Sequence, residues 1–330
     1  MSSHSSHAEL TLQAREQLAR GLGSEIATLR RLRSSLRLIE IAFFLSLWIV
    51  SGAIAMSAMD TGSWLGWVAR SLAIVVAALS LNAFYLLSHE GHHHLLFKGN
   101  AANHLANVLL CLPLLHSPSA YRVLHQLHHQ YLGGPGDPDE YRNYTGDARL
   151  RWALQWIRLT IGTLVYMPLI PVVAWRRATP HERWWIASEY AVMSAIWVLA
   201  FATVPIRTLL EVWLIPGIAV GYISAVRALA QHALTDGSDP LLASRTVHSN
   251  PVVSFFLLNE NYHLEHHLFP EIPSYNLPRL HALLRGRLPY SVQAVSYSRF
   301  LAAFVARFFR GDESTMGFRR HERRTMRTEP

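Results

Sequence analysis

WVARSLAIVVAALSLNAFYLLSHEGHHH, residues 67–94, sets the terms on which this chain is read. Trp67 to Leu87 is apolar apart from Arg70 near its outer end, and roughly 20 apolar residues suffice to cross a bilayer as a helix. Ser88-His89-Glu90-Gly91-His92-His93-His94 follows without a linker. A spanning helix therefore delivers a cluster of imidazoles to one membrane face. Three further stretches qualify as spans: Leu38 to Met59, Trp184 to Val204, and Thr208 to Ala230. The last holds Pro216, Gly217 and Gly221, which membrane helices tolerate. Short links, Asp60 to Leu65 and Pro205 to Arg207, join the four into two helical hairpins.

Composition agrees with a membrane protein. Of 330 residues, 51% are hydrophobic and 16% are charged, against about 25% charged in a soluble protein. A single cysteine excludes a disulfide scaffold and a thiolate zinc cluster. Net charge is +8, carried almost wholly by arginine; the apolar fraction directs that charge to anionic lipid, with no nucleic-acid partner expected. Six arginines (Arg15, Arg20, Arg30, Arg31, Arg33 and Arg37) precede the first span, and the stretches from Lys98 to Arg183 and after Arg245 are also basic. The positive-inside rule then places both termini and the middle segment in the cytoplasm, with no secretory leader at the N-terminus. Two apolar stretches are too short or too broken to span: Leu105 to Leu115 reads as re-entrant or interfacial, and Leu159 to Ala174, with Pro168 and Pro171, as interfacial. The fold class expected is all-α integral membrane: four transmembrane helices in two hairpins, interfacial helices and a cytosolic histidine-rich cap. Residues 1–37 form a cytoplasmic N-terminal tail, with Met1 to Gly23 flexible or weakly helical. Residues 38–290 form the membrane catalytic domain, and 291–330 a basic segment disordered from Gly311 to Pro330.

Nineteen histidines point to metal. The second cluster is His125-Gln126-Leu127-His128-His129 and the third His263-Leu264-Glu265-His266-His267, both spaced H-x-x-H-H. Residues three and four apart share a helix face, so each set aims its imidazoles one way; His89 and His93 do the same in the first cluster. All three clusters share the cytoplasmic side provided neither ambiguous stretch crosses the membrane. Eight neutral imidazoles at one face suit Fe, Zn, Cu or Ni and are too many for one ion, so two ions are expected. His232, ending the fourth span, is a ninth candidate, and His92 an alternative to His93. His104 and His116 read as interfacial. His4, His7, His181, His248, His281 and His321 read as solvent-facing.

The motifs SHEGHHHLLF (88–97), LHQLHHQYLGGPGDPDE (124–140) and NENYHLEHHLFPEIPSYNLPRLH (259–281) resemble the histidine boxes of the membrane fatty acid desaturase superfamily, integral-membrane non-haem di-iron enzymes. The resemblance extends over about residues 38–290. It implies that His89, His93, His125, His128, His129, His263, His266 and His267 ligate two irons, joined by His232. Where some relatives carry an asparagine four residues before that last histidine, this chain has Ala228. Asp137 and Asp139 match the acidic pair after the second box and are candidates to orient ring N–H groups, as are Glu90 and Glu265 within boxes. His92, Asn259 and Asn261 are candidates to support the ligands.

The implied chemistry is O2-dependent oxidation of an unactivated C–H bond of a lipid, which needs an oxidant made from O2 by a redox metal. Loss of two hydrogens gives an alkene and oxygen return gives an alcohol. Fatty-acyl desaturation is the leading reading; a hydroxylase or ketolase acting on a lipid, carotenoid or alkane is the alternative. A membrane metal transporter is the remote third, because transporters place ligands near the bilayer midplane. All-histidine ligation sets the site apart from soluble di-iron bundles built on Glu-x-x-His. No dinucleotide fingerprint or Cys set for an iron–sulfur cluster is present. Electrons are therefore expected from a separate ferredoxin-like or cytochrome-like donor with its reductase, at a bacterial inner membrane.

Overall fold

The computed structural model describes residues 7–288, 290–294, 296–311 and 318–320. The helices are α1 His7–Ala19, α2 Gly23–Leu29, α3 Ser34–Asp60, α4 Trp64–His92, α5 Asn100–Cys111, α6 Pro118–Tyr131 and α7 Ala148–Arg177. Then come α8 Pro180–Thr203, α9 Ile206–Leu209, α10 Ile215–His232, α11 Pro251–Phe256, α12 His263–Leu268, α13 Leu277–Leu284 and α14 Tyr297–Phe308. Three short strands, β1 Arg245–Val247, β2 Tyr290–Ala294 and β3 Phe318–Arg320, form one sheet in that order. β1 runs parallel to β2 with Arg245 opposite Val292, and β2 antiparallel to β3 with Val292 opposite Phe318. The fold is all-α but for this small sheet, and the protein is a membrane protein. Four segments are long and apolar enough to cross a bilayer: Ser34–Asp60, Trp64–His92, Pro180–Thr203 and Ile206–His232.

Two compact units make up the chain. One comprises Leu32–Leu124 and Thr160–Ala225. Its central helix is α4, of whose apolar stretch 61% is buried, against 22% for α3 and 17% for α8. The α3–α4 hairpin turns at Gly62, whose φ of +60° favours glycine, and Ser63 then caps α4 by accepting from Gly66 N at 3.0 Å. α8 opens on a capping box, Thr179 with Glu182, and Pro180 in the first turn. Between α9 and α10 the residues Leu210–Leu214 form a π-turn, whose Val212 carbonyl accepts from Trp48 Nε1 at 2.7 Å. The neighbouring Glu211 takes both ends of Arg70 at 2.8 Å. These two charges, read from sequence as span-end residues, are thus neutralised against each other. α5 is too short to cross. Pro168 and Pro171 lie inside α7, where each proline removes one backbone donor and crowds the carbonyl four residues earlier.

The other unit comprises Met1–Arg31, His125–Leu159 and Val226–Pro330. Leu18, Ile26 and Leu29 of α1 and α2 share a core with Leu264, Leu268, Phe269, Leu277, Leu280 and Leu284. The segment Met1 to Gly23, read as a flexible or weakly helical tail, carries the helix α1 from His7, and α2 follows it from Gly23. Arg15 and Arg30 both bind Glu271, at 2.5 and 2.8 Å, and Asn276 and Tyr275 donate to the carbonyls of Leu29 and Arg31. A second core joins Trp152, Leu229, Ala230, Val247, Phe300 and Phe304. Of the segment expected to be disordered, Phe318–Arg320 pairs as β3, while 312–317 and 321–330 lie outside the described residues, as do His4 and His321.

Candidate metal centre

Three elements of the second unit bring seven imidazoles together. The H-x-x-H-H spacing on α6 and on α12 turns each set of histidines to one side, and His232 is the last residue of α10. The ligand nitrogens of His128, His232 and His267 all lie within 4.8 Å of one another, as do those of His125, His129 and His266. His263 joins the first triad, its Nε2 standing 2.9 Å from His232 Nε2 and 3.1 Å from His267 Nε2. In the second triad His129 Nε2 is 3.1 Å from His125 Nε2 and 3.2 Å from His266 Nε2. His125, His128, His263, His266 and His267 are buried.

The rings are oriented from outside. Asp137 Oδ1 accepts from His128 Nδ1 at 2.9 Å and from Asp139 N at 2.9 Å, while Oδ2 accepts from Gly133 N at 2.7 Å. The loop that carries it is tight: Gly133 sits at φ +67°, and a Cβ on Gly237 would lie 2.4 Å from the Gly133 oxygen. Asp139 is 3.9 Å from the same His128 nitrogen. With His128 Nδ1–H given to Asp137, its Nε2 lone pair points to the triad. Glu260, fully buried, stands 3.5 Å from His263 Nδ1. Sequence reading missed Glu260, although an acid three residues before a ligand histidine is a signal in itself.

The other supporting candidates hold the frame rather than a ring. Glu265 accepts from His281 Nδ1 at 2.6 Å and from Thr246 Oγ1 at 2.6 Å; His281, read as solvent-facing, is half-buried by that contact. Asn261 Nδ2 donates to the Val247 carbonyl at 3.1 Å. Asn259, at φ +63° after Leu258 at +47°, makes the left-handed turn that leads into the third box. His7, also read as solvent-facing, is partly buried.

The first unit carries the first box at the end of α4. His89 and His93 stack edge to face with ring centres 5.3 Å apart. His92 turns to α5, where Asn107 Nδ2 donates to its Nδ1 at 3.2 Å. Gly91 admits this contact, because a Cβ there would lie 2.6 Å from Asn107 Cγ. Glu90 is held by Arg37, which is fully buried and also donates to Glu40 at 2.7 Å and to the Leu95 carbonyl at 3.2 Å. Arg37, counted from sequence among charges that set topology, is thus a structural partner of the box. His116, read as interfacial, is fully buried, and burial lowers its pKa to about 4. Glu189 lies at the N-terminus of α6, the helix of the second box. It accepts from Ser119 N at 3.1 Å, from Ser119 Oγ at 2.6 Å and from Ser117 Oγ, an anion at the positive end of the helix dipole.

Electrostatics fit a cation among the rings. Burial, with the surrounding imidazoles, holds His267 well below the usual histidine range, so it is neutral at pH 7. Burial also opposes a charge on His128, but Asp137 outweighs it and raises that pKa; burial works against the Asp137 carboxylate in turn, and His128 with two backbone N–H groups lowers it. Converging Nε2 lone pairs repel unless a proton or a cation lies between them. His232 Nδ1 is buried with no partner among the described residues, which marks a ring held by its other nitrogen. The imidazole nitrogens of the two triads suit Fe, Zn, Cu or Ni. Beside His128 and His232 lies a cavity of about 410 Å³, lined also by Asp139, Tyr141, Arg151 and Arg158.

Comparison with known proteins agrees with this arrangement. The family model described as fatty acid desaturase matches residues 62–299. The sn-1 oleoyl-lipid 12-desaturase of Picosynechococcus is 21% identical over 285 residues, covering 74% of this chain and 78% of that protein. The sphingolipid delta(4)-desaturase of Candida albicans is 28% identical over 237 residues, covering 65% of this chain and 61% of that protein. The chloroplastic omega-6 fatty acid desaturase of Brassica napus is 23% identical over 245 residues, with 65% and 54% covered.

Proposed function

Because the chain belongs to the fatty acid desaturase family, we propose that it is an O2-dependent di-iron enzyme that desaturates the acyl chain of a membrane lipid. Lipid desaturation is the reaction at the level of the family. The observation that carries the finer reading is the pair of imidazole triads, His128 with His232 and His267 and His125 with His129 and His266, each largely buried with its ligand nitrogens within 4.8 Å of one another. His128, His232, His267 and His263 hold one iron, and His125, His129 and His266 supply donors to the other. The resemblance of the first box to the family's gives His89 and His93 a ligand role as well. Bound iron supplies the redox chemistry that turns O2 into an oxidant strong enough for an unactivated C–H bond.

The chain's own residues do the rest. Asp137 keeps His128 in the tautomer whose Nε2 is free to ligate. Glu260 stands beside His263 Nδ1 and does the same there. Burial keeps His267 neutral and shields the site from water. The acyl chain enters from lipid between the spans. Asp139, Tyr141, Arg151 and Arg158 give the site a polar opening on the side of His128 and His232. The bias of arginine toward the segments that carry the boxes supports a cytoplasmic site at a bacterial inner membrane. Conversion of a saturated pair of carbons to an alkene with reduction of O2 to water consumes two electrons and two protons beyond the two substrate hydrogens, so a separate ferredoxin-like or cytochrome-like donor delivers them.

The test is the lipid profile of a host expressing the protein, beside His263→Ala and His267→Ala, read by gas chromatography–mass spectrometry. A new double bond that disappears in both variants is the expected result. New hydroxyl or keto lipids with no new alkene would replace desaturation by oxygenation on the same site. An unchanged profile with a cognate electron donor supplied would overturn the proposal.

A further inference from the structure

Arg245 is among the largest fully buried side chains in the molecule. Its guanidinium carbon lies 5.0 Å over the Phe300 ring. Nη1 donates to the Ala230 carbonyl at 2.6 Å, and Nη2 to those of Ala233 and Leu234 at 3.1 and 3.3 Å. These oxygens end α10 and flank His232. The last carbonyls of a helix lack partners within it and carry its negative dipole end. Buried beside His232, this end is met by the planar cation of Arg245. Burial lowers the Arg245 pKa to about 9, which leaves the side chain charged at neutral pH. Leu234 follows at φ +56°, a left-handed position costly for a branched residue, and Arg245 grips its carbonyl.

The two residues after Arg245 reach the third box. Thr246 Oγ1 donates to Glu265 at 2.6 Å. Val247 N donates to the Asn261 carbonyl at 2.8 Å, and the Val247 carbonyl accepts from Asn261 Nδ2 at 3.1 Å. Three consecutive residues of β1 thus tie the end of α10 to α12. The result is the 2.9 Å approach of His232 to His263.

We propose that Arg245 is a positioning residue for His232, and that the β1 strut it begins sets the spacing of the triad His128–His232–His267. This rests on the reading that each triad holds one iron. Loosening His232 should then weaken one ion and spare the other.

The experiment uses the full chain in nanodiscs, loaded anaerobically with ferrous iron, for wild type, Arg245→Met and Arg245→Lys. Iron per chain, the electron paramagnetic resonance of the oxidised samples and the thermal midpoint are measured together. Wild type should bind two irons. Arg245→Met should retain about one, lose the signature of a coupled pair and show a mononuclear signal, since the support it removes is worth roughly 10–100-fold in metal affinity. Arg245→Lys, which keeps the cation but reaches fewer carbonyls, should bind the second iron more weakly than wild type and regain the coupled signature at higher iron. Two irons bound with unchanged affinity in both variants would overturn the proposal. So would parallel loss of both irons with the thermal midpoint, in Arg245→Lys as well as Arg245→Met, because that marks a residue of the fold alone. A wild-type protein that binds no iron would instead overturn the proposed function.

Discussion

Replacing Asp137 with asparagine removes one charge and leaves the volume unchanged. In the native site the carboxylate accepts three hydrogen bonds, two on Oδ1 from His128 and Asp139 and one on Oδ2 from Gly133. An asparagine can keep its oxygen toward His128 only by turning its NH2 against the Gly133 N–H. The reverse orientation sets the NH2 against two donors. The first wins, at the expense of one buried bond and of the charge behind the His128 N–H. A bond to a charged group is worth about 1.5–3 kcal/mol and a neutral one about 0.5–1.5 kcal/mol. Partners of this kind contribute about 10–100-fold in metal affinity, or about 1.4–2.7 kcal/mol, so the two estimates agree. Competition of the purified protein with a calibrated chelator for ferrous iron reads the affinity directly. Asp139→Asn is the internal control: Asp139 is 3.9 Å from the same nitrogen, and its loss should cost about threefold or less. Wild-type affinity in Asp137→Asn, or an equal loss in Asp139→Asn, would refute the claim that Asp137 works by orienting His128.

Three other outcomes follow from the geometry. Glu211→Gln removes the counter-charge of the half-buried Arg70 and should cost about 2 kcal/mol, read as a fall in the detergent-solubilised thermal midpoint; a charge swap of both residues should recover most of it. Gly91→Ala drives a methyl into Asn107, 2.6 Å away at Cγ, and should cut product formation severely without changing membrane insertion, measured by activity beside protease accessibility. His116 has its pKa lowered by burial from 6.5 to about 4, so the unfolded chain takes the proton first. Stability present above about pH 6.5 is lost as pH falls toward 4, by about 3 kcal/mol in all. Melting curves of wild type and His116→Phe across that range should diverge only on the acid side.

Periodicity and spacing are local properties, and what they control could be read directly from the chain. The four spans lie within a few residues of the apolar stretches, because a bilayer imposes length and composition on each helix by itself. The convergence of His125, His128 and His129 and of His263, His266 and His267 followed from helical geometry. Asp137 was visible because it matches the acidic pair that follows the second histidine box in the family the motifs resemble. The N-terminal helices were not: their sequence is weakly amphipathic and charged, and they are ordered by Glu271 and by Leu264, Leu268 and Leu280, residues some 250 positions away. Nor were the roles of Arg37, Glu189 and Arg245. Each is a charge in a basic or apolar context, and only the packed structure shows that it is buried against a helix end or a box. Histidine identity and spacing decided what the site is made of. Which side chains hold those rings in place depended on desolvation, since a charge removed from water must find its partner wherever the fold has placed one.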